Sequence, residues 1–413
     1  MPKRSYPARV INISERDFWA ALRPAAGRPN QELLREALRS GRSGKKAQAY
    51  PRLSAYYREV LTADWQLNRE EAQKQKPAAE ALKNLFRGKV TVWHTFTYQF
   101  GKRIDWAPAD LPDLSGMYYM WWLNPMVMAF LRRPNDARVR AYLIDMVRQY
   151  YDGTRSHPRW KQAIQGCMFG GLNIAAQWPV LFGLYLGMLH TTRAPADALK
   201  RLLKTFLGFG RALDWQLRRF LAGNNGFVFA NEALFRIART FPEFKESPRW
   251  SRKALGFLMR HAREGFFADG GNRERVWGYG TMHVAGLTNL YAFAQRHGGL
   301  SPSQDRAILS TVSRACQWYY KSVTPAPLNA FPTYGDAGWG THDDLPTIQA
   351  MARCLREFAK DPLLGVDRAK SYLLKSSGFA IMRNGNERKS SYVMPVRSLF
   401  QSPRSDVSRA GKP

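Results

Sequence analysis

Acidic residues are scarce in this chain: 32 Asp and Glu stand against 63 Lys and Arg over 413 residues, a formal net charge of +31. So lopsided a balance costs self-repulsion, and it suits a polyanionic partner: nucleic acid, an anionic membrane surface or an acidic polysaccharide. Arginine outnumbers lysine by about two to one, which favours bidentate recognition of carboxylate, sulfate or phosphate. A codon bias toward arginine accounts for the same count.

Cysteine is rarer still. Cys167, Cys316 and Cys354 lie far apart with no Cys-x-x-Cys, which excludes a disulfide framework and fits a reducing compartment. The seven histidines are scattered, with neither HExxH nor a paired-His helix, so no metal site and no cofactor are expected from this chain. A P-loop, a Gly-x-Ser-x-Gly elbow and a Cys–His signature are also missing, which disfavours nucleotide chemistry and the familiar hydrolase mechanisms. The basic N-terminus has no apolar signal-like run. Cytoplasmic location is the default expectation, periplasmic or secreted if the true N-terminus lies upstream. Long apolar runs are limited to two charge-free stretches, Leu114–Leu131 and Gly166–His190. Both reach membrane-spanning length, but "NP" breaks the first and Asn173, Gln177 and Pro179 interrupt the second. Inner helices of a large α-fold explain them better than membrane insertion.

What is present is helix after helix. From about residue 10 to 365, segments such as "YLIDMVRQYY", "ADALKRLLKTFLGFGRALDWQLRRFL" and "SRKALGFLMRHAREGFF" carry apolar residues at i, i+3, i+4 and i+7. Stop and start signals recur at "RRPND", "SHPRW", "FPEFKESPRW" and "LSPSQD", where Ser or Asp can cap the next helix. Almost no alternating strand pattern falls between them, and an array of helical hairpins must stack as a solenoid or close as a toroid. Residues 1–90 form a more polar helical region, 91–365 the main helical array, and 366–413 the start of a β region with a basic tail. That β region opens with "YLLKSSGFAIMRNGN", a short strand pair around a Gly-containing turn.

Three constellations can carry chemistry. In "AGNNGFVFANEALF", Asn224 and Asn225 sit between glycines at the mouth of an apolar helix. One asparagine serves as a cap, and a second exceeds what a cap needs. In "DGGNRERVWGYG", Tyr279 lies between Gly278 and Gly280, and Arg275 is placed to favour its phenolate. The glycines there suggest room for a ligand chain. A buried tyrosine bonded to a backbone group is the competing reading. The third, "FPTYGDAGWGTHDD", holds Asp336 and His342, with Asp343 and Asp344 positioned to cap the next helix.

Taken together, "GNNGFVFANEALFRIARTFPEFKESPRW", "DGGNRERVWGYG", "FPTYGDAGWG" and "GFAIMRNGNERKSSYVM" resemble the heparinase II/III-like polysaccharide lyases over roughly residues 90 to 394. The resemblance implies a mainly α fold: an incomplete α/α toroid of helical hairpins, then the first strands of an antiparallel β-sandwich. It implies β-elimination on a uronate-containing polysaccharide such as a glycosaminoglycan or alginate. In that chemistry a donor neutralises the carboxylate, a base removes the C5 proton and an acid protonates O4. Carried over, Asn225 serves the carboxylate and Tyr279 is base and/or acid. Relatives often have a histidine after the Asn pair, here Gly226, and some have one after the tyrosine, here Gly280. His283, one helical turn beyond, is the candidate substitute. Asn224, Glu274, Trp277, Asn173 and the aromatics Tyr119 and Trp122 of "GMYYMWWLN" complete the candidate substrate-binding set, with packing in the core as the competing reading of the aromatics.

Relatives continue into a full sandwich that supplies a histidine and, in some, a metal. Here the likeness ends near Met394 and the tail reads as out of frame. The expectation is therefore one half of a site, inactive if the other half is required. The alternatives are a non-catalytic acidic-glycan-binding toroid and a helical-repeat nucleic-acid binder, the latter disfavoured because no repeat period or binding motif is present. The oligomeric state is not legible.

Overall fold

A computed structural model describes residues 10–76, 78–92, 96–108, 114–158, 168–192, 195–217, 225–273, 277–324, 344–383, 385 and 392–393. The early helices are α1 (Glu15–Ala21), α2 (Gln31–Arg42), α3 (Lys46–Val60), α4 (Thr62–Lys74) and α5 (Ala79–Phe86). A hairpin of β1 (Lys89–Val92) and β2 (Phe96–Gln99) follows, then α6 (Ser115–Tyr118), a 3-10 turn at Trp121–Leu123, α7 (Asn124–Arg132) and α8 (Ala137–Arg148). A π-turn at Gln149–Gly153 leads into α9 (Thr154–Ser156). Then come α10 (Gly171–Leu189), α11 (Ala196–Gln216), α12 (Asn225–Thr240), α13 (Ser247–Glu264), α14 (Trp277–His297), α15 (Pro302–Ser322) and α16 (Asp344–Arg356). Strands β3 (Tyr372–Leu374), β4 (Phe379–Arg383) and β5 (Tyr392–Val393) form an antiparallel sheet in that order.

The chain divides into two compact units: residues 1–222 with 229–254, and residues 223–228 with 255–413. In the first, the charge-free stretch forms α10. Its window is long and apolar enough to cross a membrane, but 78% of it is buried inside the protein. Glycines one turn apart let α7 approach closely: a β-carbon at Gly183 would lie 3.2 Å from Val127, and one at Gly187 would lie 2.6 Å from the Phe130 ring. The polar interruption is satisfied internally. Gln177 accepts from the Tyr150 hydroxyl at 2.6 Å and donates to the Met168 carbonyl at 2.8 Å. Trp178 stacks on Phe182 at 4.9 Å and meets Phe206 of α11 edge-on at 5.1 Å. The contacts Val127–Gly183 and Phe130–Gly187, with Gly171–Ala230 and Trp178–Phe241, show that α7, α10 and α12 run in the same direction.

The "FPEF" segment closes this unit. Glu243 is fully buried, accepting from Tyr56 at 2.6 Å and Tyr57 at 3.4 Å while pairing with Arg28 at 3.4 Å. Its backbone carbonyl accepts from Arg23, and Lys245 donates to Ala21, which ties the N-terminal helices to the turn after α12. Burial raises the Glu243 carboxyl above its ordinary range, against the opposing pull of Arg28.

In the second unit α14, α15 and α16 pack on one another. The expected strand pair exists: Tyr372 faces Ile381 and Leu374 faces Phe379, with Gly378 at φ +80° in the turn. Caps also follow the sequence, with Asp136 accepting from Arg138 and Val139 at 3.0 Å, and Ser301 and Gln304 forming a capping box on α15. The β1–β2 hairpin is a strand pair in the stretch before residue 365 where almost no alternating pattern is legible. Four-residue strands with only Val90 and Val92 buried give too short an alternation to stand out.

Candidate active site

The loop after α13 is a tight structure rather than a loose bend. Phe267 donates to Gly271 at 2.7 Å, Arg273 donates to Gly265 at 3.0 Å, and Phe266 and Asn272 form a β-bridge. One oxygen of Asp269 accepts from the Gly271 amide at 3.2 Å. The other accepts from both the amide and the hydroxyl of Ser377, at 2.8 and 2.9 Å. Trp318 donates to the same hydroxyl at 2.9 Å. The first residue of "DGGNRERVWGYG" thus pins the β3–β4 turn onto the loop.

Its glycines serve the protein more than a ligand, which corrects the sequence reading. Gly270 is at φ +100°, and a β-carbon there would collide with the Arg314 carbonyl. At Gly271 a β-carbon would come within 2.8 Å of Ser377 and 3.0 Å of Trp318, and at Gly280 it would collide with the Tyr319 hydroxyl. Gly278 alone of the four opens onto free space.

Helix α14 then presents Tyr279, Met282 and His283 at i, i+3 and i+4, on one face. Tyr279 is half-buried, Met282 is 41% exposed and His283 is buried. Asn225, the first residue of α12, comes to this face: its side-chain amide donates to the Met282 sulfur at 3.0 Å, and its carbonyl oxygen accepts from the Gly226 amide at 2.7 Å. A thioether is a weak acceptor, so the amide proton is held only lightly.

His283 is not a surface group. Its Nδ1 lies 2.9 Å from Nε2 of His261, and the two rings stack at 4.8 Å. His261 is in turn stacked on Phe257 and edge-on to Phe266. Burial lowers His283 to about 4; burial and the His283 neighbour lower His261 to about 3. Burial disfavours charge on both rings, and the ring-to-ring hydrogen bond requires the accepting ring to be neutral.

Among the sugar-stacking candidates, Tyr119 is half-buried. Trp122 is buried at 8% exposure, as the core reading of this stretch has it, with its indole donating to the Met117 carbonyl at 3.1 Å. Trp121 is the exposed aromatic, at 50%. Trp122 follows the left-handed Met120 and so lies outside the helix that carries Tyr118, and both rings are buried. Met120 between the two outer rings adopts φ +59°, a left-handed conformation that costs a non-glycine residue roughly 1–3 kcal/mol. Asn173 is half-buried in the first turn of α10.

Asn224, Glu274 and Arg275 lie outside the described residues, as do Asp336 and His342 and the side chain of Trp277. The proposed Arg275–Tyr279 pairing is therefore not visible. Among the described residues no group of three or more His, Cys, Asp or Glu side chains could hold a metal ion.

The heparinase II/III N-terminus family model matches residues 29–364, which takes in most of the polar N-terminal region that the motifs alone left out. A heparin-sulfate lyase from Pedobacter heparinus is 22% identical over 392 residues, covering 88% of this chain and 56% of the relative. The chain thus spans little more than half the length of that relative. Among solved structures, heparinase III superposes with a TM-score of 0.66 at 14% identity, covering 92% of this chain and 61% of the other. The heparan sulfate lyase HepC from Pedobacter heparinus superposes with a TM-score of 0.56 at 17% identity, with the same coverage. The fold is that of the heparinase α/α toroid class, mainly helical with short antiparallel strands. With its family model matched along most of its length, the chain belongs to the heparinase II/III-like polysaccharide lyase family.

Proposed function

We propose that this protein is a lyase that cleaves an acidic, uronate-containing glycosaminoglycan by β-elimination. The observation that carries the reading is the Asn225–Met282 contact, which ties the asparagine to the helix face that holds Tyr279. Asn225 exchanges its weak sulfur acceptor for the uronate carboxylate, a stronger one, and so makes the C5 proton more acidic. Tyr279 carries the proton: its phenolic oxygen takes the C5 proton, the C5–H electrons form the C4–C5 double bond as the C4–O4 bond breaks, and the proton passes on to the departing O4. The buried His261–His283 pair acts behind this face by fixing the register of α14 against α13, and it does not touch substrate. The excess of basic residues draws the polyanion in. The names of the relatives favour heparin or heparan sulfate as the first substrates to try.

The test is incubation with a panel of glycosaminoglycans and polyuronates while following the ultraviolet absorbance of the unsaturated uronate product. Tyr279→Phe is expected to reduce that rate by about 10²–10⁴-fold, the range of general acid–base catalysis, while keeping glycan binding. Binding by the wild type without product would replace this reading with the non-catalytic one.

A further inference from the structure

Trp121 is the most exposed described tryptophan in a chain whose other large aromatics are mostly interior. Its ring lies 4.9 Å from that of Tyr119 at an interplanar angle of 53°, so the two rings adjoin with their faces inclined to each other. Three features make the pair rigid. Met120 is fully buried and holds the left-handed backbone that places the two rings side by side. Trp122, immediately behind, is anchored by its bond to the Met117 carbonyl. The 3-10 turn that carries Trp121 runs directly into α7 and packs against α10. Because α7 and α10 run in the same direction, the aromatic pair lies at the same end of the unit as the first turn of α10, where Asn173 sits half-buried. A strained backbone that exposes an indole is maintained against its own cost, and such sites are where ligands are gripped.

We infer that Tyr119 and Trp121 form a stacking platform for one pyranose ring of an acidic glycan, a binding subsite separate from the residues that move protons. The inference rests on the acidic-glycan reading above. Aromatic faces suit the apolar C–H face of a pyranose, while the sugar's charged groups remain free for arginines and helix N-termini. The platform supplies ring contact, so its contribution to affinity is insensitive to salt, whereas the basic residues supply the salt-dependent part.

The test is titration of the full chain with a heparan sulfate octasaccharide at several salt concentrations. Trp121→Ala is expected to weaken binding by about tenfold with an unchanged salt dependence, and Trp121→Phe by roughly two- to threefold. An unaltered thermal melt confirms that a half-exposed side chain was removed without harm to the core. Should Trp121→Ala melt early, the Trp121→Phe comparison decides: a loss with normal melting supports the platform, and wild-type affinity overturns it. Wild-type binding that is unchanged in both variants overturns the platform and leaves the lyase reading intact. No binding of any acidic glycan by the wild type overturns both.

Discussion

Two segments equally prominent in the sequence, "FPEF" and "GNNG" with "WGYG", turn out to be built on opposite principles. Glu243 in the first unit is fully buried, and its carboxylate is occupied by two tyrosine hydroxyls and an arginine. Asn225 and Tyr279 in the second are half-buried, and the asparagine's amide rests on a thioether that a better acceptor can displace. Both kinds of segment mark the family, but only the second leaves chemical capacity unspent. The contrast in how completely polar groups are satisfied is what the proposed division into scaffold at Glu243 and site at Asn225 and Tyr279 rests on.

Substitutions can break that contrast. Glu243→Ala should cost about 3–5 kcal/mol of stability, because it strips the buried partner from Arg28, Tyr56 and Tyr57. Chemical denaturation measures this. Its counterpart Asn225→Ala should change stability by less than about 1 kcal/mol while abolishing most turnover. If Asn225→Ala proves the more destabilising of the two, the contrast is reversed.

A smaller effect separates the glycines of one segment. Gly270→Ala places a β-carbon against the Arg314 carbonyl at a positive φ and should cost about 1–3 kcal/mol. Gly278→Ala, which meets open space, should fall within about 0.5 kcal/mol of wild type. Equal melting temperatures for the two variants would remove the distinction.

The histidine pair predicts a pH signature. Burial holds His283 and His261 below the ordinary value of 6.5, to about 4 and about 3. The unfolded chain therefore binds more protons between these values, so the pair's contribution to stability is complete above pH 6.5 and is lost as pH falls toward 4. Replacing both with phenylalanine should flatten the stability profile in that window, as pH-dependent melting would reveal.

Much of this architecture was legible because its causes are local. Asp136 and Ser301 cap the helices they precede, the Gly378 turn joins two strands, and the apolar run of α10 reads as an inner helix. The residues that mattered most for the site obey longer-range rules. Nothing local links Asn225 to Met282, which are 57 positions apart. The left-handed Met120 that turns Trp121 outward has no sequence signature, since glycine is the usual occupant. Glycine itself is ambiguous: the same residue type serves close packing at 270, 271 and 280 and open space at 278.

The most direct test of the account is the rate of unsaturated uronate formation from heparan sulfate by wild type and Tyr279→Phe, with glycan binding measured in parallel. The account predicts product from the wild type, loss of nearly all of it in the variant, and binding retained in both. Wild-type rates in Tyr279→Phe, or no product from any uronate polymer with the wild type, would contradict it.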